Sequence, residues 1–313
     1  MISKESIPSK DIKNIFLNIL NRDKKLIAYY VAKISEIIYR QKGNKLVIVS
    51  LARAGTPYGI LIKRYLKLKY KVDIPHYSIS IIRGKGIDAN ALKYILTENK
   101  KAEIQFVDGW TGKGSITKEL NKSIDIFNNE NKTNIDNSLA VISDPAKLCK
   151  VCGTREDFGI ATCCLNSTVS GLISRTIHNE KYIGKDEFHG AKTLYYLKDE
   201  DYSQYFIDKI DNEFKKISIK YEDLVLENID KEYSMKIVSK IRELYDVNNI
   251  NNIKLSVGES ARVLLRRDPR VVLVKNKSDK NIEHILKLAE EKGVKVIEYK
   301  DSEYNCISII NER

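Results

Sequence analysis

Four short and almost wholly apolar runs punctuate the first half of the chain: KLVIVS (Lys45–Ser50), HYSISII (His76–Ile82), AEIQFV (Ala102–Val107) and SLAVIS (Ser138–Ser143). Runs like these offer no polar face to water, so a strand built from them must be covered on both sides. Between them lie segments of helical periodicity, at Pro57–Leu68, Asp88–Leu96 and SITKELNKSIDIFNN (Ser115–Asn129). Strands alternating with amphipathic helices predict an α/β protein with a doubly wound parallel sheet. Upstream, Ile12, Ile15, Phe16 and Ile19, then Ile27, Tyr30, Val31, Ile34, Ile37 and Ile38, mark two helices, the second ended by Gly43.

Residues 146–215 are less regular, although CLNSTVSGLISRTI (Cys164–Ile177) reads as a helix with many small polar residues. Helices follow near 202–215 and 229–246, and the asparagine-rich VNNINNIK (Val247–Lys254) reads as a linker. Beyond it, a helix (Ser260–Arg267), a strand (Val271–Lys275), the helix NIEHILKLAEEKG and the strands VKVIEY and CISII make a small α/β unit. The expected division is a large domain over 1–215, a helical linker over 216–252 and a second domain over 253–313.

Hydrophobic content of 42% with 31% charged residues allows a substantial core. The formal charge of +12 favours polyanionic partners, with plain lysine enrichment as the alternative. The N-terminus has no apolar signal region, and no 18 uncharged apolar residues run together, so neither export nor a membrane is expected. Five cysteines, an odd number in a long chain, suit a reducing cytoplasm.

Parallel sheets bind ligands at the carboxyl ends of their strands. LARAG, RGKGID, DGWTGKGSIT and DPA all fall there. The third is not a nucleoside-triphosphate loop, because Gly112-Lys113 is followed by Gly114 rather than Ser or Thr, and Gly109 stands too close. What remains is a strand ending in Asp108 and a turn whose Thr111, Gly112, Lys113, Gly114 and Ser115 amides, with the Ser115 and Thr117 hydroxyls, suit a monophosphate. The plain alternative is a glycine-rich turn without a ligand.

VDGWTGKGSIT resembles the phosphoribosyl-diphosphate (PRPP) motif of type I phosphoribosyltransferases. The fuller set SLARAGTPYG, HYSISIIRGKGID, FVDGWTGKGSIT, TREDFG and CLNSTVSGLISR resembles the phosphoribosyltransferase-like family of bacterial tellurite-resistance (Ter) stress operons, some members of which are labelled cysteine protease StiP. The resemblance implies a sheet of phosphoribosyltransferase type and a Mg²⁺-dependent transfer of phosphoribose between PRPP and an acceptor it does not name. Asp108 would hold the ribose, Arg53, Ala54 and Gly55 the diphosphate, and Arg83 and Lys85 a loop closing over it. The motif ordinarily has two adjacent acids, whereas the second position here is Gly109. A catalytically weakened nucleotide- or RNA-binding sensor is therefore the second expectation.

Asp144, Arg155, Asn166, Ser167, Ser170 and Arg175 are polar where a core is expected, and are read as an acceptor pocket, with solvent-facing packing as the alternative. Cys149-x-x-Cys152 with Cys163-Cys164 fits no common zinc spacing, and no metal ligands are assigned. A third expectation is a cysteine peptidase with Cys164 as nucleophile and His178 or His189 as base. SVGESARVLLRRDPRVVLVKNKS with HILKLAEEKGVKVIEY resembles the Pelota-like RNA-binding domain. The resemblance puts Gly258 and Glu259 at the start of its recognition helix and Arg262, Arg266 and Arg267 on phosphates, with a solvated basic face as the alternative. RNA is thus an expected partner, and monomer and homodimer are both left open.

Overall fold

A computed structural model describes residues 5–267 and 269–311 and contains two sheets. The first has six strands: β1 (Leu46–Ala52), β2 (His76–Ile82), β3 (Gly86–Ile87), β4 (Glu103–Trp110), β5 (Leu139–Ser143) and β6 (Val151–Thr154). Their order is β3-β2-β1-β4-β5-β6, parallel throughout except for the β2–β3 hairpin. Helices α1 (Lys10–Lys42), α2 (Thr56–Tyr70) and α5 (Ser203–Asp211) build the core on one face, and α3 (Ala89–Glu98) and α4 (Ser115–Asn131) that on the other. The expected mixed α/β class, with a mostly parallel six-stranded sheet and a second, small sheet, is observed.

Several local expectations need correction. The two helices expected before Gly43 are one helix of 33 residues, capped by Ser9, whose hydroxyl accepts from Ile12 N, and closed by Gly43 at φ 56°. No glycine or proline interrupts 10–42, and the polar turn at its centre is held by a two-fold Arg22–Asp23 pair. The helix expected over Cys164–Ile177 is absent. Two short 3-10 turns, Ala161–Cys163 and Ser167–Val169, stand there, followed by left-handed Gly171 and Leu172. Ser, Thr and Asn side chains compete for backbone partners, as Ser170 does by donating to Asn166 O at 2.8 Å, and so favour turns over a helix.

The second sheet has the order β7-β10-β8-β9, with β7 (Ile253–Leu255), β8 (Pro269–Val274), β9 (Val296–Glu298) and β10 (Cys306–Ile310). Helix α6 (Tyr233–Leu244) covers one face through Val238 and Ile241. The other face carries α7 (Val257–Arg266) and α8 (Glu283–Glu291), and here the two units merge. Val257, Ala261, Leu264, Ile285 and Leu288 belong to the same apolar core as Phe158, Ile160, Cys163 and Leu165 of the first unit.

Asp157 fixes the junction. Its carboxylate accepts from the backbone N–H groups of Val257 and Asn305, each at 2.9 Å, and of Cys306 at 3.4 Å, while its carbonyl accepts from Asn305 Nδ2 at 2.6 Å. Burial pushes this carboxyl up to about 7, against the pull of those three amides. Asp157→Ala leaves three buried donors without partners, at about 1–3 kcal/mol each before relaxation. We expect a loss of at least about 3 kcal/mol in urea unfolding at pH 5, and a loss under about 1 kcal/mol would contradict this role. The sign with pH follows from the raised value. Asp157's contribution is complete below the unfolded carboxyl range and is lost as pH rises through about 7, so the penalty of the substitution should be smaller at pH 8 than at pH 5.

Candidate functional site

Because β1 lies between β2 and β4, the chain leaves the sheet in opposite directions from β1 and β4, which opens a crevice at their carboxyl ends. A cavity of about 290 Å³ occupies it, lined by Ala54, Arg83, Asp108, the turn Thr111–Thr117 and, from the second unit, Lys254, Glu259 and Arg262. The structure thus gathers most of the residues read as a phosphate site, but it gives several of them other partners.

Burial pushes the Asp108 carboxyl up to about 6, against the Gly109 amide that donates to it at 2.8 Å and the field of Arg262. Gly109 stands where an acid was expected because a Cβ there would come within 2.9 Å of the buried Tyr58 ring. Tyr58 is itself held by a 2.7 Å bond to Thr162. Thr111 is a brace: its hydroxyl donates to Asp144 at 2.5 Å and its amide donates to Ser143 O. Lys113 donates to the carbonyls of Ile250 and Ile253, and burial, with Lys254 and Arg83 nearby, lowers it to about 8. Tyr304 closes the turn from the second unit by donating to Gly112 O at 2.9 Å. Arg83 donates to Ser115. Gly114, at φ 81°, opens α4 with Leu148 where a Cβ would lie, and Ser115 and Thr117 form its first turn.

Gly55 is squeezed against Val107 O and Leu51 O, leaving no room for a side chain. Lys85 is not part of the cavity; it borders a separate hollow between the β2–β3 hairpin and α4. Arg53 turns the other way, to Glu5 and to Ile173 O. The six residues read as an acceptor pocket divide in two. Asp144, fully buried, takes the Arg155 guanidinium and the Cys149 amide and braces the loop after β5. Asn166 accepts from Arg266, Ser167 binds Glu5, and Arg175 adds its charge to the field at Arg53 and Arg266.

Of the residues expected to meet RNA, Gly258, Glu259 and Arg262 in the first turns of α7 pack toward the first unit, whereas Arg266 and Arg267 are exposed. A Cβ on Gly258 would sit 2.8 Å from the Trp110 ring, and the Arg262 guanidinium lies 4.3 Å from that ring's centroid. Arg262 also donates to Glu259 at 3.2 Å, and Glu259 covers Gly112. Arg266 lies beside Arg262, Arg53 and Arg175; its surface is partly open to water, yet crowding by protein and those three cations lower it to about 10. Arg267 is exposed.

All five cysteines are buried and unpaired. Cys149 and Cys152 belong to the sheet core, where burial raises both thiols. Among the described residues no cluster of three or more His, Cys, Asp or Glu side chains is placed to hold a metal ion. Cys163 and Cys164 differ from each other sharply. Their sulfurs are 3.9 Å apart, and hydrogen bonding from the Cys164 thiol, with the His284 imidazole adding to it, outweighs burial and holds Cys163 well below the usual thiol range. Cys164 is pushed up by the same pairing and by burial.

His284, on the buried face of α8, packs against Gly159, whose Cβ would lie 2.5 Å from the ring, and neither ring nitrogen closes a hydrogen bond in this arrangement. Sequence reasoning favoured Cys164 with His178 or His189. His189 instead pairs with Ser80 at 2.9 Å and stacks on His178 at 4.4 Å, on the hairpin side of the sheet. The signal for His284 was a histidine on the apolar stripe of NIEHILKLAEEKG, but nothing in the linear order links it to Cys163.

The class defined here is a two-unit α/β protein with a cation-lined crevice and, where the units meet, two adjacent buried cysteines and a buried histidine. Residues 1–211 match the family described as tellurite-like stress resistance cysteine protease StiP, and residues 232–312 match the PELOTA RNA binding domain. A protein of Acinetobacter baylyi named cysteine protease StiP is 32% identical over the whole of this chain and 84% of its own length. The chain belongs to the StiP family. These matches overturn the expectation of a phosphoribosyltransferase, since the family and the relative alike bear the description of a cysteine protease. Among the described residues no helix is long and apolar enough to cross a membrane.

The Gly258–Trp110 contact is directly testable. Gly258→Asn forces the indole off α7, and overpacking of this kind costs about 1–3 kcal/mol. We expect a fall in stability with a change in Trp110 fluorescence, the only tryptophan in the chain. An unchanged emission spectrum would contradict the packing.

Proposed function

We propose that this chain is a thiol-dependent peptidase in which Cys163 is the nucleophile and His284 its proton carrier. The observation that carries the reading is geometric: two buried thiols with sulfurs 3.9 Å apart sit in a turn just after Gly159, and the His284 ring, brought by α8, packs on that glycine. A thiolate beside an imidazole is the minimum apparatus of a cysteine peptidase. The family description and the relative's name support the same chemistry.

In the proposed cycle the Cys163 sulfur adds to a peptide carbonyl, the C–N bond breaks, and His284 delivers a proton to the departing amine. Water then attacks the thioester, giving up a proton to His284; the C–S bond breaks, releasing the acid and restoring the Cys163 thiolate beside the protonated imidazole. Cys163 is fully buried, so a substrate reaches it only when residues packed over it are displaced. Because His284 belongs to the second unit, the first unit alone holds half of the pair.

The test is release of new amines from an unfolded protein substrate. Cys163→Ala and His284→Ala should each reduce turnover by on the order of a thousandfold or more. Cys164→Ala should retain activity, with the acid limb of its pH profile moved upward because the bond that stabilises the Cys163 thiolate is gone. Full activity in Cys163→Ala would overturn the proposal, as would a Cys164→Ala profile unchanged with pH.

A further inference from the structure

Among the described residues before α1, Glu5 makes a set of hydrogen bonds to the first unit. The Glu5 carboxylate accepts from the Arg53 guanidinium through Oε1, and from the Ser167 hydroxyl at 2.7 Å and amide at 3.3 Å through Oε2. The Tyr196 phenol oxygen (Oη) serves the backbone on both sides, accepting from Glu5 N and donating to Glu5 O, each at 3.0 Å. Every polar group of Glu5 is therefore recognised, whereas Ser6 is exposed and Ile7 is 62% exposed. This is how a receptor holds a single side chain of an extended peptide.

The pocket is built for an anion. Ser167 is fully buried, and the Arg53 side chain is only 15% exposed. Arg175 and Arg262 add their fields at Arg53, and Arg266 lies in the field of Arg53 and of the Glu5 carboxylate. Burial alone would push the Glu5 carboxyl up, but the Ser167 hydroxyl and the Arg53 guanidinium outweigh it and lower it. Arg53 gives the carboxylate one charge-assisted bond through Nη2, while its Nη1 donates to Ile173 O and so fixes the guanidinium in place. Ser167 follows Cys163 and Cys164 in the same turn-rich segment, after Leu165 and Asn166.

We propose that Arg53 and Ser167 form a binding pocket for the acidic side chain of a peptide partner, and that Glu5 occupies it as a tethered stand-in. That the partner is a substrate rests on the peptidase reading; the pocket itself does not. A covalently attached occupant competes at high effective concentration, so freeing the pocket should expose a latent affinity.

The test uses the full chain carrying Cys163→Ala, so that binding is read without cleavage. A fluorescent acetylated peptide with the sequence of residues 5–10, ESIPSK, and the same peptide with Gln in place of Glu, are titrated by anisotropy. Glu5→Gln should bind the Glu peptide on the order of tenfold or more tightly than the chain that retains Glu5. The Gln peptide should not bind, and adding Arg53→Gln or Ser167→Ala should abolish the gain. Equal binding with and without Glu5, or no discrimination between the two peptides, would overturn the proposal. So would a single-stranded RNA that binds through Arg53 and that the Glu peptide fails to displace, which would assign the pocket to phosphates. Failure of the peptidase reading leaves the anisotropy result untouched, and an active peptidase without peptide discrimination removes the pocket alone.

Discussion

One buried carboxylate, that of Asp157, is seated on three backbone amides of the second unit, and the arrangement of everything around the crevice depends on it. The amides belong to the start of α7 and to the approach to β10, two points that are distant in sequence and adjacent in space. Binding both through one side chain fixes the second sheet in position and angle against the first. The apolar contacts around Phe158, Ile160, Val257 and Ile285 then supply the bulk of the cohesion, while the polar contact selects the register. With that register set, Trp110 meets Gly258, Tyr304 meets Gly112, and His284 meets the turn that carries Cys163.

A junction of this kind changes what the second unit can do. The early residues of its helix α7 pack on Trp110 and the Gly112 turn, while Arg266 and Arg267 at the helix end are exposed. The same packing builds the crevice, because Lys254, Glu259 and Arg262 form its far wall. Neither unit makes the site alone, and the chemistry proposed at Cys163 needs a residue from each.

The parts of the fold that were legible were those governed by short-range rules. Apolar runs such as Lys45–Ser50 and Ser138–Ser143 had to be interior strands, and the strand ends had to meet at one edge of the sheet. The turn Thr111–Ser115 was found at the crevice for the same reason. What escaped was set by long-range contact. The departure at Gly109 reads in sequence as a lost acid and in space as room for Tyr58. Lys113 looks like a phosphate ligand until the carbonyls of Ile250 and Ile253 are placed beside it. The histidine that packs beside the Cys163-Cys164 turn could not be read from the dipeptide, since it arrives from α8. Glu5 gave no signal at all, because an isolated acid near a terminus is unremarked until its arginine is found.

The claim that the two units share one core and so bring His284 to Cys163 is tested most directly by hydrogen exchange of the full chain, followed by mass spectrometry at neutral pH. The account predicts that peptides covering 255–264 and 304–307 exchange as slowly as those covering β4, since their amides are buried at the junction. Exchange of those segments at the rate of an exposed helix, with β4 still protected, would show the units apart in solution and would contradict it.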